Sequence, residues 1–107
     1  GYSQIVNDPS QEGKVQDALM MLWQLSDDDR YKAPLAHPSL QLLPILKNIL
    51  VERRYISLVF HSLGCLWYVS RKKENDLLIA SPDLGLIPIL MQYLTQYGDE
   101  RAYKTLR

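Results

Sequence analysis

The chain has 107 residues, enough for one small domain with a modest core. An apolar share of 47% with 22% charged residues is an ordinary globular composition, which argues against a disordered or membrane-embedded chain. Twelve basic residues balance twelve acidic ones, so no global charge draws the chain to nucleic acid or to an anionic membrane.

Residues 1–12, GYSQIVNDPSQE, mix polar and turn-forming types without periodicity and read as a leader. From about Gly13 the period becomes helical: Val15, Ala18, Leu19, Leu22, Leu25 and Ser26 recur on one stripe. Asp27-Asp28-Asp29 ends that helix and offers a cap to a short second one through Tyr31, Ala33 and Leu35. His37-Pro38-Ser39 breaks the chain again. The next helix is expected from Ser39 or Leu40 to about Glu52, with Pro44 in its first turns, where a missing N–H matters least. Its surface is almost continuously apolar, as suits a helix covered on several sides. A helix over about 55–70 follows, then the charged loop RKKEN and a short helix over about 75–80. Ser81-Pro82-Asp83 precedes an apolar helix over 84–96. Tyr97-Gly98-Asp99 reads as a turn, with Glu100 to Arg107 starting one more helix.

The second half restates the first. Residues 15–50 and 59–94 superimpose without a gap at an offset of 44. Leu19, Leu22, Trp23 and Ser26 meet Leu63, Leu66, Trp67 and Ser70, and Pro44-Ile45-Leu46 meets Pro88-Ile89-Leu90. Self-similarity at about 40–47 residues is the mark of stacked helical repeats of the armadillo or HEAT kind. Gly85 to Leu94, GLIPILMQYL, resembles the second helix of an armadillo repeat, and Gln41 to Leu50 resembles it with Gln in place of Gly. Ala18 to Ser26 resembles the third helix. The resemblance implies an all-α, right-handed armadillo-like α-solenoid over 13–107. It would hold about two repeats of 44 residues plus a truncated third, as a fragment of a longer array.

In armadillo proteins the third helices line a concave groove that holds extended peptides. By position, Met20 and Gly64 stand for the family's groove tryptophan, and Gln24 and Tyr68 for the asparagine that clamps a peptide backbone. Gln24 keeps an amide where Tyr68 does not. Leu22-Trp23-Gln24-Leu25-Ser26-Asp27 also resembles the armadillo substrate receptors that read an N-terminal glycine for ubiquitin ligases. Trp23, Gln24 and Asp27 are the counterparts of their reading residues, while Tyr68 and Arg71 depart in the next repeat.

Trp23 and Trp67 lie at the edge of the apolar stripe and suit either inter-repeat packing or a groove, two compatible uses for so large a ring. Met20 and Tyr68 sit nearly opposite that stripe, where they suit adaptable contact with a partner. Asp27-Asp28-Asp29 and Arg71-Lys72-Lys73 occupy equivalent loops, so stacking sets acid beside base, as a mutually compensating edge or as steering charges. His61 and Cys65 are one turn apart, but no third group orients the histidine, and inert packing is the reading preferred to a thiolate–imidazole pair. With two histidines, one cysteine and five dispersed glycines, neither a metal site nor a phosphate loop is expected, and no cofactor.

The sequence therefore predicts a non-catalytic protein-interaction module. Its partner-binding residues are Met20, Trp23, Gln24, Asp27, Gly64, Trp67, Tyr68 and Arg71, its ligand a protein or peptide, with neither nucleic acid nor membrane as partner. The ubiquitin-ligase substrate receptor is the alternative of the same class. A HEAT-like enzyme acting on nucleic acid is the alternative of another, and it requires a basic concave face. The apolar helix over 84–96 predicts self-association through the C-terminal repeat. A lone cysteine, and the lack of a signal peptide or an apolar span, point to the cytoplasm or nucleus.

Overall fold

The computed structural model describes residues 11–106, with side chains described as far as Gln96. Among the described residues there are six α-helices and no strand. They are α1 (Glu12–Ser26), α2 (Asp29–Ala36), α3 (Leu42–Glu52), α4 (Ile56–Val69), α5 (Asp76–Ile79) and α6 (Leu86–Leu106). Two 3₁₀ turns, Pro38–Leu40 and Lys73–Asn75, precede α3 and α5. The proposed leader lies outside the described residues except for its last two, and Glu12 already belongs to α1.

The breaks have local causes. Asp28 adopts an extended backbone and its carboxylate accepts the Arg30 N–H at 2.8 Å, which starts α2. His37 accepts the Ser39 N–H on its ring nitrogen at 3.1 Å, ahead of Pro38 in the first position of the turn. Pro44 is the third residue of α3, where its missing N–H costs nothing. Gln41, just before α3, and Gly85, just before α6, share the left-handed conformation at φ 59° and 69°. The repeat thus demands a left-handed residue at this joint, which glycine meets freely and glutamine meets under strain.

Two pairs of helix starts stand 44 residues apart, whereas the short helices α2 and α5 start 47 apart, at Asp29 and Asp76. Helices α1 and α4 begin at Glu12 and Ile56, and α3 and α6 at Leu42 and Leu86. Hydrogen bonds tie the units at about one period's separation. Asn75 donates to the Lys32 carbonyl at 2.9 Å, Tyr93 to the Leu50 carbonyl at 2.7 Å, and Arg53 to the Gln96 side chain at 2.8 Å. Helix α4 lies along both α1 and α3, and the core gathers at this seam around Leu19, Leu42, Leu46, Leu50, Leu58, Cys65 and Val69.

The expected turn at Tyr97-Gly98-Asp99 is absent, and α6 runs unbroken to Leu106. At the equivalent place α3 stops because Arg53 turns left-handed, its N–H bonding the Ile49 carbonyl. A glycine inside a helix costs only about 1 kcal/mol against alanine, less than is lost by breaking the ladder of backbone bonds around it. No described helix folds back over α6, so Ile87, Met91 and Leu94 lie 46–63% exposed. Leu43 and Leu50, the counterparts of Ile87 and Leu94, are buried, and Lys47, the counterpart of Met91, is half-buried.

Candidate binding site

Positions 20, 23, 24 and 27 fall on one face of α1 at helical spacing, away from the stripe that enters the core. Met20, Trp23, Gln24 and Asp27 there meet Tyr68 of α4 around an open hollow of about 310 Å³. The indole of Trp23 is half-buried and stands in a T-shaped arrangement with the His61 ring at a centroid distance of 5.2 Å. It lies across the backbone of Gly64, where any β-carbon would come within 2.6 Å of the ring. Gly64 therefore serves this hollow as the floor under Trp23 rather than as a contact of its own.

The rim is polar and unengaged. Among the described residues, neither the Gln24 amide nor the Asp27 carboxylate has a hydrogen-bond or ionic partner. Beside it stands a residue that the sequence reading missed. Lys32 is 3% exposed, its ammonium donating to the Asp27 carbonyl at 2.7 Å and pairing with Asp29 at 3.0 Å. It lies 6.0 Å from the Tyr68 ring centroid, a distance at which the ring face attracts a cation. A lysine three residues after Asp29, at the start of a capped helix, was the available signal.

The remaining candidates lie past Tyr68. Trp67 is 60% exposed, its ring centroid 5.4 Å from that of Tyr68, and the Arg71 guanidinium lies over the Trp67 ring, 5.4 Å from its centroid. Trp23 and Trp67 hold the same place in their helices, each with its carbonyl accepting from the serine three residues on. They differ in burial because α4 covers the first and nothing described covers the second. A separate hollow of about 260 Å³, lined by Ala36, Pro38, Gln41, Leu78 and Leu84 among others, lies at the α2–α3 corner.

The charged loops compensate within themselves. Asp28 pairs with Arg30 at 2.8 Å, Asp29 with Lys32, and Lys72 with Glu74 at 3.7 Å. The hydrogen bonds from Arg30 hold the Asp28 carboxyl down to about 2. Asp29 is lowered chiefly by its bond to Lys32, with a smaller contribution from Lys72 across the seam. Cys65 is fully buried; burial pushes its thiol pKa up while a hydrogen bond with Ser26 pulls it down. The nearby His61 ring is taken up by Trp23 and the Ser57 carbonyl. Among the described residues there is no group of three or more metal-ligating side chains, and no helix is long and apolar enough to cross a membrane. Comparison with protein families, with curated proteins and with solved structures finds nothing that matches this chain.

Proposed function

We propose that the chain is an armadillo-like helical repeat module that binds an extended peptide segment of a partner protein along the face carrying Met20, Trp23, Gln24, Asp27 and Tyr68. The observation that carries this reading is the hollow itself: two aromatic walls, a flexible methionine, a free amide and a free carboxylate around about 310 Å³. Aromatic rings supply apolar contact at low conformational cost, methionine adapts its shape, and an unengaged amide suits a peptide backbone that needs both a donor and an acceptor. The repeat register supports the armadillo-like architecture, in which successive units stack and present equivalent faces.

A second reading is favoured by one observation. Trp23, Gln24 and Asp27, the counterparts of the residues with which ubiquitin-ligase substrate receptors read an N-terminal glycine, border the same hollow. Asp27 would take the terminal ammonium.

Selection from a displayed library of extended peptides, with free and acetylated N-termini compared, tests both. The expected result is an enriched motif whose binding falls by about 1 kcal/mol or more in Tyr68→Ala at unchanged helicity. Loss of binding on acetylation, and in Asp27→Asn, selects the N-terminal reading. A library that yields no enriched motif, or peptides indifferent to Tyr68→Ala, overturns the proposal.

A further inference from the structure

A third hollow, about 240 Å³, opens on the outer side of the second unit between α4 and α6, lined by Leu63, Trp67, Ser70, Ile79, Leu86 and Leu90 among others. Forty-four residues earlier stand Leu19, Trp23, Ser26, Leu35, Leu42 and Leu46, which form the packed interior of the first unit. The same surface therefore occurs twice, once closed and once open. Ser26 and Leu46 are fully buried, whereas Ser70 is exposed and Leu90 only half-buried.

Helix α4 closes the first of these surfaces, through its buried stripe Leu58, Ser62, Cys65 and Val69. The counterparts of that stripe on α1 are Lys14, Ala18, Met21 and Leu25, and all four are exposed, Met21 at 60% and Leu25 at 45%. The chain thus carries both halves of its own inter-unit joint a second time, one open at each end.

We propose that the chain binds a second copy of itself head to tail, with α1 of one copy seated in the α4–α6 hollow of the next. Ala18, Met21 and Leu25 then take the places that Ser62, Cys65 and Val69 take within the chain. The substitutions suit the site. The Ser62 hydroxyl is buried without a hydrogen-bond partner in the internal joint, and Ala18 brings no hydroxyl to bury. Met21 fills more of the hollow than a cysteine and adapts its shape to it. Lys14, in the place of Leu58, lies at the margin, where its stem packs and its ammonium reaches water. Charge agrees as well. Within the chain the acidic loop Asp27-Asp28-Asp29 is followed by the basic loop Arg71-Lys72-Lys73, and Lys72 already acts on Asp29. Head-to-tail stacking sets the basic loop of one copy beside the acidic loop of the next, so the alternation continues. Such an interface joins two different patches and leaves both ends free to grow.

The proposal rests on the repeat register and is independent of the peptide hollow, so failure of either test leaves the other standing. Sedimentation velocity of the full chain over a hundredfold concentration range should show mass rising with concentration. Trp67 emission, isolated in Trp23→Phe, should shift to the blue as its ring is covered. Met21→Asp and Trp67→Asp each remove one half of the joint at an exposed residue and should each be monomeric with unchanged helicity. Mixed one to one, they should form a dimer and nothing larger, because a single intact joint is restored. Leu25→Glu with Ser70→Glu, whose like charges keep the doubly substituted joint broken, gives the same comparison should either of the first pair fail to fold. A wild-type chain that stays monomeric throughout, variants that still associate alone, or a mixture that stays monomeric overturns the proposal.

Discussion

The indole of Trp23 lies so close across Gly64 that a β-carbon on the glycine would stand 2.6 Å from the ring. This contact joins α1 to α4 and sets the wall of the candidate binding hollow. Gly64→Ala gains about 1 kcal/mol of helix propensity but forces the ring aside, and overpacking costs about 1–3 kcal/mol. The expected net effect is destabilisation, read as a lower urea midpoint. Gly13→Ala, with nothing near its added carbon, should instead leave stability equal or slightly higher.

Asn75 is 1% exposed and its amide donates to both the Lys32 and the Val69 carbonyls at 2.9 Å. Asn75→Ala removes two buried hydrogen bonds, although the Val69 carbonyl keeps the Lys72 N–H at 3.3 Å, and a loss of about 1–3 kcal/mol is expected in equilibrium unfolding. Fast amide exchange should appear first in α2, which that side chain ties to the second unit.

Lys32→Met retains the buried stem and removes the charge. The Asp27 carbonyl loses its ammonium donor, and about 1–2 kcal/mol of stability should go with it. Peptide binding at the neighbouring hollow should weaken together with it, while Lys47→Met on α3, away from that hollow, should leave binding unchanged.

The acidic loop predicts a pH dependence of defined sign. Asp28 ionises at about 2 in the folded chain, against an ordinary value of 3.8, because Arg30 stabilises its carboxylate. A folded-state pKa below the unfolded one gives stability that is present above about pH 4 and lost as pH falls toward 2. Asp29 acts in the same direction. Asp28→Asn keeps a good helix cap without the ion pair, so its stability should fall less steeply over that window in thermal melts taken at successive pH values.

Much of this fold was legible because the signals were periodic. Most helix borders followed from the apolar stripes and from prolines and aspartates at the breaks, and the starts of α1 and α4 and of α3 and α6 repeat at 44 residues. Met20, Trp23, Gln24 and Asp27 were recognisable as one face because helical spacing alone brings them together. Tyr68 joins them only through the packing of α4 on α1, which the register suggested and composition did not. Three things were not legible. Whether Gly98 ends α6 depends on a balance of about 1 kcal/mol. Trp23 and Trp67 each follow a leucine and precede a serine by three residues, and their unequal burial follows from which unit has a neighbour. The burial of Lys32 depends on a backbone carbonyl, which no side-chain pattern announces.

Helix α4 is at once the lid of the first unit and the opening helix of the second, with Cys65 fully buried at the seam. Neither half owns a sealed interior. Repeat arrays with many joints can fray from one end while the middle stands, but here there is a single internal joint for heat or denaturant to open. Melting of an isolated copy should therefore be one cooperative transition, with no half-folded plateau. A protease cut between Glu52 and Ile56, where the chain passes from α3 to α4, should release two fragments that unfold as soon as they part.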